Sequence, residues 1–437
     1  MWGTSPDPAH AGLVAVAEPR NRQERFAALE VLGTAIDAYL APLSPRVTMP
    51  RLSRGQVVGT VDVCADAPQI VVPNAATAAW LFGVVGRFTR YLRVDGDDPV
   101  PATVPRTGQN LTFFGQQSQM PGSCVALAAT DLLTEHWATE QLDGKKQNLA
   151  SLLGWIDPPD GFDGQRAAAD AERDQPPAGP QSDPNWDARE LEGLIAIYHA
   201  AVGDPRARTR AGDQITEAVR AQLAPGWADA WRALAVVRRL PEAAHVPQRW
   251  DRDKAAWARH VARIEQGDAR FRVVPSPLQA ARSLGLAEKL GEELASQMAL
   301  DDPAVMARSI ARGDAVSGVV IRVDRDNREP GPTGRRTRRP LVDLRADIPF
   351  EHPVGTTLHL TAAPGVCAEL ADADEDRQVL RFRVVAGALT TTTAGRLPSP
   401  GARVVLSSHG PAARYPDTLP PEIPWTHRLP EPPEGDL

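Results

Sequence analysis

The stretch D-A-V-S-G-V-V-I-R-V-D, Asp314–Asp324, decides how the C-terminal part of this chain folds. Upstream of it apolar residues recur every three or four positions, the period of a helix face. Here Val319, Ile321 and Val323 recur every second position, the period of a half-buried strand. Working outward towards the C-terminus, Leu341–Leu344, Thr356–Leu360, Val366–Leu370, Val379–Val385 and Val404–Ser407 repeat the pattern between turn residues. Six short strands at such spacing predict a small β-barrel or sandwich over 313–409, followed by a Pro-rich tail, 410–437, with Trp425 as a docking aromatic.

Working outward towards the N-terminus, the sequence reads as helix. A long helix spans about Leu278–Met298, and Asp301-Asp302-Pro303 leads into a shorter one. The region 186–312 is helical throughout, with breaks expected near Pro205, Pro225, Pro241 and Pro275, because proline cannot continue a helix ladder. Residues 157–185 are rich in Pro, Gly and Asp and read as a linker. A mostly helical domain over 21–156 follows a loose start at 1–20. Its first helix, Arg22–Leu40, carries Phe26, Leu29, Leu32, Ile36 and Leu40 on one face. Val57–Val63 and Ile70–Val72 suggest a short hairpin. Asn74 then caps a helix in which Trp80, Leu81, Val84, Val85, Phe88 and Leu92 predict a buried stripe. Leu111–Phe114 reads as a strand, and Ser123 as the cap of a helix running through Trp137. The fold class is thus multidomain and mainly α, with a C-terminal small barrel or sandwich.

Composition bounds the function. The 42% apolar and 24% charged content is that of a folded chain, and a net charge of −7 over 437 residues excludes a polyelectrolyte. Any contact with nucleic acid must come from a local basic patch. Cys64, Cys124 and Cys367 stand far apart without a C-x-x-C pair, so they read as free thiols in a reducing compartment. No basic segment followed by a long apolar run opens the chain, and no run of about 18 apolar residues is found, so a cytoplasmic location without a membrane partner is expected.

The densest local feature is Arg322–Arg339, in which seven arginines face only Asp324, Asp326 and Glu329. Pro330, Gly331, Pro332 and Gly334 predict a loop between two strands. Arg325, Arg328, Arg335, Arg336, Arg338 and Arg339 are the candidate contact residues. Guanidinium forks suit phosphate geometry, although no aromatic residue stands nearby to stack on bases. The same run also suits a solvated hairpin tip or an arm bonded to an acidic partner surface.

A long helix entering G-x-x-V-S-G-V-V-I-R-V-D-R-D-N-R, then R-R-P-L-V-D-L-R at Arg338–Arg345 and G-T-T-L-H-L at Gly355–Leu360, resembles the β-barrel insertion that follows a stalk helix in some superfamily 1 helicases. The resemblance covers roughly a quarter of the chain and implies a barrel that touches nucleic acid or partner proteins. It carries no motor motif: the one Gly-Lys pair, Gly144-Lys145, is followed by Lys146 and not by Ser or Thr. What it implies is therefore an accessory protein and not a motor.

Other constellations are incomplete. His352 and His359, with Glu351 and Cys367 near in sequence, fit no zinc spacing. His136 and Glu140 read as a surface pair on one helix. The acidic turns Asp95, Asp97, Asp98 and Asp372, Asp374, Glu375, Asp376 lack the remaining ligands of a calcium loop. Ser123 and Cys124 lack a G-x-S-x-G frame. Trp227 with Trp231, and Trp250 with Trp257, share helix faces and read as core packing. No catalytic residue, metal site or cofactor motif emerges. The function expected is a non-enzymatic adaptor or interaction protein with protein partners, accessory to a nucleic-acid-processing ATPase and touching DNA or RNA phosphates or an acidic partner through the arginine-rich loop. The alternatives are a hydrolase or nuclease of another family, or a structural subunit of a larger complex, which would expose an apolar patch.

Overall fold

The structure, a computed structural model, describes residues 1–410 except 54, 55, 96, 140, 142–147, 176–178, 180, 181, 270, 272–275, 331–335, 375 and 391, with 51–53 and 56 described in backbone only. The chain forms two compact units, one of Met1–Glu242 with Val246–Phe271 and the other of Ala243–His245 with Arg272–Leu437.

In the first unit, α1 (Arg22–Leu40) starts at Asn21, whose side chain accepts the free N–H groups of Gln23 and Glu24. With the turn after it, α1 is long and apolar enough to cross a membrane by composition, at mean hydropathy 1.4 over its most apolar window. It also carries Glu30 and Asp37, and Arg106 pairs with Asp37 through Nε at 3.1 Å. The hairpin forms from β1 (Arg46–Ser53) and β2 (Gln56–Cys64). The expected partner of β2 was β3 (Ile70–Val72), but β3 instead lies parallel to β4 (Ala126–Ala128). The crossover between β3 and β4 contains α2 (Ala75–Ala78), a π-helical turn at Ala79–Val85, α3 (Gly86–Thr89) and α4 (Thr103–Gln117). Leu111–Phe114, expected as a strand, lies inside α4, where Leu111, Phe113 and Phe114 fill the core beside Phe82 and Trp257. Tertiary packing overrides the aromatic strand preference here. Likewise Ser123 precedes β4, and the helix it was expected to cap, α5 (Ala129–His136), begins six residues later.

α6 (Leu149–Ile156) is followed by α7 (Gly164–Asp174), so the stretch expected as linker contains a helix, with Ala167 and Ala168 buried. After α8 (Pro184–Trp186) and α9 (Glu192–Ala200) comes α10 (Pro205–Val237), which runs through Pro225 unbroken. The expected break is therefore absent, and α10 packs Ala233 and Val236 against Leu149, Leu152 and Leu153. α11 (Val246–Glu265) closes this unit and supplies Trp257.

The second unit begins with α12 (Pro277–Asp301), entered through a capping box of Ser276 and Gln279, and α13 (Pro303–Arg312). Gly313 ends α13 at φ 84°, a conformation that costs glycine nothing. The chain then enters β5 (Ala315–Asp324). A small hairpin, β6 (Arg328–Pro330) with β7 (Arg336–Arg338), precedes β8 (Leu341–Ala346), β9 (Thr357–Leu360), β10 (Ala363–Asp374), β11 (Val379–Ala386) and β12 (Arg403–Ser407). Six of these strands close an antiparallel barrel in the order β10-β11-β8-β5-β12-β9. They coincide with the six stretches of strand period in the sequence. Alternate residues point inward, and Val316, Val320, Leu344, Leu370, Phe382 and Val384 form its core. Gly318 allows β5 and β8 to close up, since a Cβ there would stand 2.3 Å from the Arg345 carbonyl oxygen. The chain is multidomain and mainly α with a C-terminal barrel.

Candidate interaction surfaces

The β6–β7 hairpin holds the predicted arginines, and the structure divides them. Arg325 donates to the carbonyls of Leu397 and Pro398, both at 3.2 Å. Arg338, largely buried, donates to the Arg325 carbonyl at 2.6 Å and pairs with Asp326 at 3.1 Å. Arg339 donates to the Val385 carbonyl at 3.2 Å. These three satisfy backbone acceptors of the barrel and anchor the hairpin to it. Arg328 and Arg336 stay exposed, Arg336 leaning on the Arg328 carbonyl at 2.8 Å. Arg335 lies outside the described residues. The cluster that the sequence presents as one basic loop is therefore half structural. Only Arg328 and Arg336, among the described candidates, face solvent as free-standing charge.

The chemistry-bearing groups do not converge. His352 Nε2–H donates to the Gly313 carbonyl at 2.6 Å and His359 Nδ1–H to the Pro364 carbonyl at 2.9 Å, so each ring serves its own strand connection. Among the described residues no group of three His, Cys, Asp or Glu side chains is placed to hold a metal ion. Glu140 and Glu375 fall outside them. Cys124 sits in a loop and donates its N–H to Asp253 at 2.8 Å. Burial first, and the Asp253 charge second, push its thiol up, which is the opposite of nucleophile activation. Burial likewise pushes Asp253 up and the Cys64 thiol up to about 11. The cleft between Ala15–Glu24 and α9–α10, about 450 Å³, is lined by Tyr198 and Arg208, but Arg208 is already engaged by the Tyr198 hydroxyl at 3.0 Å and by Glu18.

The surface that the sequence missed is the outer face of the helical segment 75–91. One side of it is held close to α4 by glycines. A Cβ on Gly108 would meet Arg90 N at 2.3 Å, and one on Gly115 would meet Phe82 Cβ at 2.9 Å. That contact buries Phe82, Gly86, Thr89 and Arg90. The predicted stripe is thereby corrected, because Trp80, Val84 and Phe88 point the other way. Trp80 is 49% exposed, Phe88 74%, and Tyr91 in the next turn 52%. A helix that is apolar all round reads as buried, and nothing local distinguishes the face that α4 covers from the one left open. The β1–β2 hairpin adds exposed Val47, Met49, Val57, Val58 and Val61. Of the tryptophans of the later helices, Trp257 is buried, whereas half-buried Trp227 and Trp231 meet edge-on with ring centroids 6.0 Å apart and half-buried Trp250 donates its indole N–H to Asp66 at 2.7 Å.

No protein family, no curated protein and no solved structure matches this chain.

Proposed function

We propose that this is a non-enzymatic interaction protein, an adaptor or a subunit of a larger assembly, whose helical unit docks a protein partner. The observation that carries this reading is the open apolar face of segment 75–91, where Trp80 is 49% and Phe88 74% exposed. Contiguous apolar surface of this kind marks an interaction site in a folded chain, and Trp and Tyr are the side chains on which binding energy concentrates. The test is co-purification of the full chain from its native host, wild type against Trp80→Ser with Phe88→Ser. A protein retained in stoichiometric amount by the wild type and lost from the double variant is expected. An identical set of companions from both would overturn the reading.

A second reading, contact with nucleic-acid phosphates or with an acidic partner beside a nucleic-acid-processing ATPase, is favoured by the exposure of Arg328 and Arg336 on the β6–β7 hairpin. It predicts DNA or RNA binding that falls steeply with salt and is abolished by Arg328→Ser with Arg336→Ser. Absence of binding at low salt would sink the nucleic-acid part.

A further inference from the structure

Three features of segment 75–91 narrow what covers its open face. The first is geometric. Ala76, Ala79, Trp80, Gly83, Val84, Arg87 and Phe88 are all exposed along one line of the helix. The π-helical turn at Ala79–Val85 widens the helix locally, so residues four apart, Ala76, Trp80, Val84 and Phe88, stay in register on that line. Such turns are rare and tend to occur at functional positions.

The second is Gly83. Glycine within a helix is costly relative to alanine, and the other glycines of this region have a reason in the fold: Gly86, Gly108 and Gly115 each stand against backbone or side-chain atoms of a neighbouring helix. At Gly83 a Cβ would meet nothing within 4 Å. With Ala76 and Ala79 beside it, this glycine leaves the backbone uncovered between Trp80 and Arg87, where an incoming helix can approach closely and lay down one large side chain.

The third is charge. Segment 75–91 contains no acidic residue. Arg87 lies within the exposed line and has no hydrogen-bond or ion-pair partner among the described residues. A second copy of this chain fits poorly. A parallel pair through this segment would set Arg87 against Arg87, and an antiparallel pair centred on Gly83 would set Arg87 against Ala79 and Trp80, so segment 75–91 offers Arg87 no carboxylate in either case.

Resting on the interaction reading above, we infer that the partner of this face is an amphipathic helix of a different protein, acidic along one flank, that seats a large apolar side chain over Gly83 and a carboxylate on Arg87. Helix-in-groove recognition uses anchors at this spacing, and a charge pair at the rim selects among helices of similar apolar pattern.

The experiment places the photo-crosslinking amino acid benzoylphenylalanine at position 88 of the full chain in its native host, with the same residue at exposed Gln214 as control. The crosslinked peptide is identified by mass spectrometry. The expected adduct is specific to position 88, joins a peptide of helical apolar period that carries Asp or Glu, falls at least fivefold in yield with Arg87→Glu, and persists with Arg87→Lys. An adduct to a basic peptide, to an extended segment or to this chain itself overturns the inference while leaving the interaction reading in place. A yield indifferent to Arg87→Glu does the same. An adduct at position 88 no stronger than at 214 overturns both.

Discussion

Arg381 of β11 grips Asp343 of β8 with both ends of its guanidinium fork, Nε donating to Oδ1 at 2.7 Å and Nη2 to Oδ2 at 3.1 Å, in strands where the two residues stand directly opposite. Arg322 of β5 stands opposite Asp343 on its other side. This carboxylate, itself nearly buried, therefore ties β8 to β11, while the Arg322 guanidinium lies 3.9 Å from Asp324 of its own strand. Because Arg381 is partly solvated, screening discounts the pair, and Asp343→Asn is expected to cost about 1 kcal/mol of barrel stability. Urea denaturation of Asp343→Asn, Arg381→Gln and the double variant measures the coupling; a coupling of zero would show that the two charges are merely neighbours.

His260 supplies an acid limit for the first unit. Its Nε2–H donates to Asn110 Oδ1 at 3.0 Å, and its ring stacks on Phe113 with centroids 4.4 Å apart. Burial, with the Arg263 charge second, holds its pKa down at about 3 against 6.5 for a free ring. The folded unit keeps this ring neutral where the unfolded chain protonates it. Stability from this group is therefore whole above pH 6.5 and is lost as pH falls towards 3, at up to about 1.4 kcal/mol per pH unit. Unfolding midpoints of wild type and His260→Gln between pH 7 and pH 4 check this, the variant showing the shallower fall.

Two glycines of the same region respond in opposite directions to the same change. Gly108→Ala forces a methyl group into the Arg90 backbone and is expected to destabilise the first unit by about 1–3 kcal/mol. Gly83→Ala meets open space and is expected to stabilise it by about 0.5–1 kcal/mol. Thermal denaturation of the two variants in parallel separates the glycine the fold requires from the one it does not.

The arginine hairpin separates in the same manner. Arg338→Ser removes a largely buried side chain and leaves the Arg325 carbonyl without its donor, an expected loss of about 1–2 kcal/mol. Arg328→Ser and Arg336→Ser remove exposed side chains and are expected to stay within about 0.5 kcal/mol of wild type. Chemical denaturation of the three single variants tells anchoring residues from contact residues, and equal effects would contradict the division.

Phe88→Ser exchanges a three-quarters exposed aromatic for a small polar group. No native packing is lost, so stability is expected to change by less than about 0.5 kcal/mol. Non-specific aggregation at high concentration should fall because the open apolar area shrinks. Light scattering against concentration reads the second effect and the unfolding midpoint the first; a large loss of stability would mean that Phe88 packs within the fold.

The sequence was most legible where one local rule acts alone. The shift from helical to strand period at Asp314 marked β5 within a residue, and the six barrel strands followed from alternation, because every strand of a closed barrel buries one face and wets the other. Legibility failed where neighbours remote in sequence choose between local options. Leu111–Phe114 has strand-forming side chains, yet Phe82 and Trp257 take them as the apolar face of α4. Pro225 stands within a helix whose remaining face is fixed by α6. The arginines of 322–339 are identical as residues; the carbonyls of Val385, Leu397 and Pro398, 46 to 73 positions away in sequence, single out Arg325 and Arg339, and Arg338 turns back to the Arg325 carbonyl 13 positions before it.

By itself, then, the sequence determined that a helical body precedes a small barrel, that an arginine-rich connection lies between the barrel's first strands, and that segment 75–91 forms an apolar helix. Period, capping and turn chemistry are local, and they suffice for that much. Tertiary structure alone decided which face of that helix α4 covers and which arginines keep a free charge. Burial and hydrogen-bond pairing are properties of contacts in the folded chain, and for Arg325, Arg339 and the face that α4 covers the partners lie far apart in sequence.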